Sequence, residues 1–363
     1  MKVALVHDLL VKLGGGESTL RVLADIFPDA PIHTLVYDEE KVGKIFPKSR
    51  VKTSVLHKYP DIIRSKYQLL LTKMPKAIER FDFTDYDVVI SSSSAFAHGI
   101  ITPVNTTHIC YCHSPMRYVW DYKNEYLKEQ NLGSVSHFLA SKVLKKIRLW
   151  DQVAADRPDI YIANSKHVQK RIKKYYKKDS EVIYPPVETS RFKPKKKNDD
   201  YFLIVSTLSP YKKVDLAVQL FNKIGKPLKI IGEGSQKKFL QSLAADNIEI
   251  LGYKSDKEVE KYIQNCKALI FPGEEDFGIT PIEAMACGKP VLAYGKGGAL
   301  ESVVKGKTGE FFYKPTISSI EDGLANLLIN ENKFKPQTIR KLAEKFDRKV
   351  FEREIKKIVN KCK

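Results

Sequence analysis

The carboxylates of Glu275 and Glu283 are the side chains best placed to do chemistry. Seven residues separate them in the stretch Glu274-Glu275-Asp276-Phe277-Gly278-Ile279-Thr280-Pro281-Ile282-Glu283-Ala284-Met285-Ala286-Cys287-Gly288. The apolar run Ala268-Leu269-Ile270-Phe271-Pro272 before it predicts a buried strand that stops at a proline. Thr280-Pro281-Ile282-Glu283 then predicts a helix start, with Thr280 as N-cap, Pro281 at the first helical position and Glu283 three residues on. Glu275 thus belongs to the loop after a strand and Glu283 to the first turn of the next helix. Free backbone N–H groups at such a start favour anions, phosphates above all. Glu283 fits two roles, completing a capping box or holding a ligand; Glu275 has no capping role.

The elements that must position these groups follow from periodicity. Lys2 to His7 reads as a strand, and Leu13-Gly14-Gly15-Gly16-Glu17 opens a helix with Leu20, Leu23, Ala24 and Phe27 on its apolar face. Gly15 and Gly16 either let a ligand approach the helix N-terminus or simply make a tight turn, since the spacing is not Gly-x-Gly-x-x-Gly. Val55 to Arg80 is largely amphipathic and helical, and Tyr86–Ser91 and His108–Cys112 are strands. The second of these strands runs into His113-Ser114-Pro115-Met116-Arg117-Tyr118-Val119-Trp120-Asp121, a polar and aromatic mix where open α/β sheets bind ligands. A helix from about Ser136 to Ala155, a strand at Asp159–Ala163, a basic helix Lys166–Lys178 and a strand at Val182–Val187 complete the first half.

The charged run Lys193 to Asp200 marks a linker, so the expected division is residues 1–192, linker 193–200, 201–340 and a closing segment 341–363. Strands recur at Tyr201–Ser206, Leu228–Ile231, Ile248–Leu251, Ala268–Phe271 and Val291–Ala293, and a basic helix spans about Pro336 to Cys362. Alternation in both halves predicts two doubly wound parallel-sheet domains of α/β class.

With 363 residues the chain suffices for two cores, and its net charge of +19 points to an anionic partner such as a nucleic acid, a membrane surface or a phosphorylated substrate. No zinc-finger, ribonucleoprotein or helix-turn-helix pattern is present, which argues against nucleic acid. No apolar run reaches the roughly 20 residues of a membrane span. The first residues lack a signal-peptide core, so a cytoplasmic protein, peripheral on a membrane at most, is expected. His108, Cys110, Cys112 and His113 alternate like metal ligands, but a zinc site wants wider cysteine spacing, and small buried strand residues explain the pattern without metal.

On these residues the chain resembles the GT-B-fold glycosyltransferases of family 4, the group 1 retaining enzymes, over nearly its whole length. Glu275 and Glu283 match the family's Glu-x7-Glu motif, with Phe277-Gly278 between them. Tyr111 to Asp121, Ala163-Asn164-Ser165 and Tyr184-Pro185-Pro186-Val187 resemble a branch of mannosyl and related transferases of bacterial surface-polysaccharide and O-antigen assembly. The resemblance implies two Rossmann-like domains, with the C-terminal helix returning to the first. The nucleotide sugar, GDP- or UDP-linked, lies mainly on the C-terminal domain; the acceptor, a lipid-linked sugar or glycan, is held by the N-terminal one. No cofactor is implied.

By resemblance Glu283 receives the ribose hydroxyls and Glu275 the donor sugar, with Gly278, Ile279 and Thr280 N–H groups near sugar and phosphate. Lys212 neutralises the leaving diphosphate, His113 contacts the donor sugar near the reacting carbon, and Gly297, Gly298 and Glu301 match a turn near phosphates and base. One departure stands out. Thr207 occupies the place of the arginine that usually pairs with the lysine, leaving Lys213, Arg117 or Lys296 to supply the missing charge. A same-fold epimerase or a non-catalytic partner of another transferase are the competing readings.

Overall fold

The computed structural model describes residues 1–363 except 65, 124–126, 128–132, 196–198 and 363. Residues 196–198 of the expected linker thus lie outside the described residues. Contacts divide the chain into one unit of Met1–Pro186 with Phe351–Lys363 and a second of Val187–Val350.

The first unit is built on strands β1 (Val3–His7), β2 (Ile32–Thr34), β3 (Val51–Thr53), β4 (Val88–Ser93), β5 (Thr107–Cys112), β6 (Ile160–Ala163) and β7 (Glu181–Val182). All pairings are parallel, in the order β3-β2-β1-β4-β5-β6-β7. The order reverses between β1 and β4, where neighbouring connections leave in opposite directions and open a crevice at the strand C-termini. β1 is buried on both faces, as a central parallel strand must be. Among the described residues of Met1–Pro186, the helices of eight residues or more are α1 (Gly15–Ile26), α2 (Ser134–Ala154) and α3 (Lys166–Tyr175). β2 and β3 were not apparent from sequence, because three-residue strands carrying His33 and Lys52 show no apolar run. The expected helical region Val55–Arg80 is instead four short turns, Val55–Lys58, Asp61–Arg64, Tyr67–Leu70 and Met74–Ile78, with Pro60 just before the second and Pro75 in the first turn of the fourth.

The second unit carries β8 (Phe202–Val205), β9 (Leu228–Ile231), β10 (Ile248–Gly252), β11 (Ala268–Phe271), β12 (Val291–Tyr294) and β13 (Gly309–Phe312), all parallel, in the order β10-β9-β8-β11-β12-β13. Its order reverses between β8 and β11. Its longer helices are α4 (Val214–Ile224), α5 (Asp256–Asn265), α6 (Ile279–Ala286), α7 (Ile317–Ile329) and α8 (Pro336–Ala343). Residues around the expected linker are fastened to this unit: Phe192 is 2% exposed, Arg340 donates to its carbonyl, and Asp199 N–H donates to Asn265 O at 2.8 Å.

The expected single C-terminal helix is two, α8 and α9 (Arg348–Asn360), separated by the turn Glu344–Phe346. The break is stabilised by Asp347, whose carboxylate accepts from Lys349 N–H at 2.9 Å and starts the second helix. From Phe351 onward α9 packs in the first unit, with Phe351 edge-on to Tyr111 at 5.5 Å.

Candidate functional site

In the second unit, Lys212 ends the short turn Pro210–Lys212 after β8, and Glu275 lies in the loop after β11. These two strands flank the switch point, so topology alone brings their loops together. Lys212 Nζ forms an ion pair with Glu275 Oε1, the two side chains 15% and 17% exposed. The loops touch through Gly273, where an added Cβ would stand 2.9 Å from Lys212 Cα. Gly298 N–H donates to Glu275 O at 2.9 Å, and Glu301 N–H to Gly298 O at 2.9 Å, so the Gly297-Gly298 turn after β12 holds the Glu275 loop by its backbone.

The helix start differs from expectation. α6 begins at Ile279, Gly278 is its N-cap with φ +89°, and no side chain caps it. Glycine is the residue that takes this φ without strain. Thr280 therefore lies within the first turn, and Glu283 completes no capping box. With the cap vacated by side chains, the N–H groups of the first turn face outward for an anion. Glu283, partly exposed one turn in, has its carboxyl pushed up to about 7 by desolvation, against the opposing pull of Arg191. Phe277 is 3% exposed with its ring 5.5 Å from Phe346, so its side chain serves the core. Thr207 is exposed in the loop after β8, Lys213 stands at φ +54° just before α4, and the Lys296 amine lies 5.6 Å from the Tyr294 ring centre.

In the first unit the loops at the β1–β4 switch point carry a second set. His113, just after β5, has Nε2 at 2.8 Å from Ser92 Oγ; Ser92 Oγ lies 3.1 Å from His7 Nδ1; His7 Nε2 lies 3.6 Å from Glu17 Oε1. Gly16 adjoins this chain: an added Cβ would meet His7 at 3.5 Å and His113 at 3.6 Å, ordinary contacts. Gly15 begins α1. Desolvation, then the nearby His7, push the His113 ring down to about 3, so it is neutral at any physiological pH. His7 is the opposite case. Burial lowers its pKa, but the hydrogen bond and charge of Glu17 outweigh burial and raise it. A protonated His7 donates from Nδ1 to Ser92, which leaves the Ser92 hydroxyl to donate to His113 Nε2 and the His113 proton on Nδ1.

Asp8, 6% exposed, accepts from the N–H groups of Ser94, Ala95, Phe96 and Ala97 at 2.6–3.0 Å and ties the loop after β4 to the end of β1. Sequence reasoning passed over His7, Asp8, Glu17 and Ser92. Their one signal is position: His7, Asp8 and Ser92 stand at or just past the ends of two central strands, and Glu17 in the first turn of the helix after β1.

Much of the stretch after His113 is structural. Ser114 Oγ accepts from Arg171 at 2.7 Å, Asp121 pairs with Arg171 at 2.6 Å, and Trp120 Nε1 donates to Asp151 at 2.7 Å. Arg117 stacks on Tyr122 at 4.1 Å. Cys110 and Cys112 are buried thiols and His108 bonds to Ser91 Oγ at 2.8 Å. Among the described residues no group of three or more His, Cys, Asp or Glu is placed to hold a metal. A separate cavity of about 560 Å³ in this unit is lined by Tyr37, Asp38, His57, Arg64 and Tyr67 among others.

Two family models match consecutive parts of the chain: the family described as Glycosyltransferase Family 4 at residues 13–191, and Glycosyl transferases group 1 at residues 186–349. A glycosyltransferase of Methanocaldococcus jannaschii is 25% identical over 91% of this chain and 89% of its own length. The alpha-1,3/1,6-mannosyltransferase ALG2 of Dictyostelium discoideum is 25% identical over 77% of each chain. The O-antigen chain mannosyltransferase RfbU of Salmonella typhimurium is 31% identical over 34% of this chain and 39% of its own. Among solved structures, Anabaena HepE in complex with UDP-glucose superposes with a TM-score of 0.72 at 18% identity, covering 99% of this chain and all of that one. Sucrose-phosphate synthase of Thermosynechococcus elongatus gives 0.73 at 15% identity, covering 99% and 98%.

Proposed function

The chain belongs to the group 1, family 4 glycosyltransferases of GT-B fold, and from that premise we propose that it is a retaining mannosyltransferase using GDP-mannose. The observation that carries this reading is the convergence of Lys212, Glu275 and the open start of α6 at one switch point. The donor diphosphate lies against the first-turn N–H groups of α6, Glu283 accepts from the ribose hydroxyls, and Glu275 accepts from the sugar. Mannose is favoured because ALG2 and RfbU, both named mannosyltransferases, are among the relatives.

In the reaction the bond between the anomeric carbon and the diphosphate oxygen breaks. The acceptor oxygen bonds to that carbon on the same face, and its proton passes to the departing phosphate oxygen. Lys212 stabilises the charge growing on the diphosphate, the costly part of the step. His113, held neutral by burial, serves as a hydrogen-bonding group for the transferred sugar. With Lys212 and the helix N–H groups carrying the charge, the reaction needs no cofactor.

The acceptor is a lipid-linked or glycan saccharide of surface-polysaccharide synthesis. The cavity of the first unit has the make-up of a saccharide pocket, with the Tyr67 ring for a sugar face and Asp38, His57 and Arg64 for hydroxyls. The enzyme works at the cytoplasmic face of the membrane as a peripheral protein. Radiolabelled GDP-mannose and UDP-glucose, offered with a lipid extract of the source cells, test the reading: label entering lipid from GDP-mannose with retained anomeric configuration supports it, and transfer from UDP-glucose alone refutes the donor.

A further inference from the structure

α2 is held to the first unit by one side. Leu144 and Ile147 are 2% and 3% exposed, Asp151 is fully buried against Trp120 and Tyr176, and Trp150 Nε1 donates to Glu79 at 2.7 Å. At ~100° per residue, Phe138, Lys142, Lys145, Leu149 and Val153 fall within about 80° of one another on the opposite side. Water should face polar groups there, yet Phe138, Leu149 and Val153 are 58%, 65% and 66% exposed, with Leu139 beside them at 56%. The charged groups of the outer face are Lys142, Lys145, Lys146 and Arg148, all exposed, with the neutral, exposed Gln152 among them. Its one carboxylate, Asp151, points inward, so the outer face carries cations alone. The Lys142 amine lies 4.5 Å from the Phe138 ring centre, its stem along the apolar stripe.

An ordinary solvated helix pairs its lysines with acids at i+4 and exposes few large apolar groups. This face does neither, in a chain of net charge +19. We propose that the outer face of α2 is the surface by which the protein lies on an anionic lipid bilayer. Phe138, Leu149 and Val153 insert at the level of the acyl boundary, and the lysines between them meet lipid phosphates. Charge complementarity selects this occupant, because a second copy would bring cations against cations. The inference deepens the reading of a lipid-linked acceptor, and vesicle binding tests it without donor or turnover.

The experiment is flotation of the full chain with vesicles of phosphatidylglycerol and phosphatidylcholine, against phosphatidylcholine alone. The wild type should float with anionic vesicles and be partly released by salt. The triple variant Phe138→Ser, Leu149→Ser, Val153→Ser should bind at least ~10-fold more weakly while GDP binding and melting temperature stay unchanged, since these side chains are exposed. Lys142→Glu with Lys145→Glu and Lys146→Glu should abolish the preference for anionic lipid. A wild type that stays with the unbound fraction, or a serine variant that floats as well as wild type, overturns the proposal. So does a dimer, seen by sedimentation, that the serine variant loses.

Discussion

Lys212 and Glu275 face each other as an ion pair from the two strands that flank the switch point of the second sheet. In the proposed mechanism these are the cation assigned to the leaving group and the carboxylate assigned to the sugar, and here they neutralise each other. A donor must therefore part the pair and give each member a new partner. Glu275→Ala should reduce transfer by at least ~10³-fold and lower the melting temperature by only a few degrees, because both side chains keep some access to water. Lys212→Ala should match it in turnover. Activity assays beside thermal melts check both, and unchanged turnover in either variant contradicts the pairing's role.

The pH dependence of donor binding should report Glu283. Its folded pKa, about 7, is above the ordinary 4.5. Its contribution to stability is thus fully present below pH 4.5 and lost as pH rises through 7. Binding has the opposite sign, because the ionised carboxylate is the better acceptor for ribose hydroxyls. Calorimetry should show donor affinity rising between pH 6 and 8 with release of a proton. Glu283→Gln should bind weakly with no such dependence.

The chain from Glu17 through His7 and Ser92 should set the orientation and tautomer of His113. Ser92→Ala leaves the fold intact but frees the imidazole, and kcat should fall about 10-fold with donor KM little changed. Gly16→Ala also folds, since the added methyl meets only ordinary contacts. A loss of activity in that variant would mark the glycine as a place where ligand, not protein, needs the room.

Thr207 offers a gain-of-function test. It is exposed in the same loop after β8 that leads to Lys212, with room for a longer side chain. Thr207→Arg should tighten donor diphosphate binding by about 10-fold through a bidentate contact. Equal or weaker binding would mean that another cation already fills that place.

Chelation should leave turnover unchanged, as the proposed charge stabilisation runs through Lys212 and backbone N–H groups. Activity lost to chelator and restored by a divalent ion would overturn that part of the scheme.

Much of the fold was legible because buried parallel strands are continuous apolar runs; β8 and β11 declared themselves this way. The short, polar β2 and β3 did not, and their place comes from pairing alone, β2 with β1 and β3 with β2. Of the site, Lys212 was visible only through family motif, since a lone loop lysine carries no local signal, while Glu275 stood out in the loop after a strand and took its role from the motif. Glu283 was visible with an ambiguity that the helix start at Ile279 removes. His7, Asp8 and Ser92 were hidden because their roles depend on the neighbouring strand, which spacing along the chain does not display.

The claim that the second unit receives a nucleotide sugar through Glu275 and Glu283 is tested most directly by titration calorimetry with GDP, GDP-mannose, UDP and UDP-glucose. The wild type should bind GDP and GDP-mannose more tightly than the uridine pair, and Glu283→Ala should lose at least ~10-fold for every ligand that binds. Absence of binding to all four, or full affinity in Glu283→Ala, would contradict it.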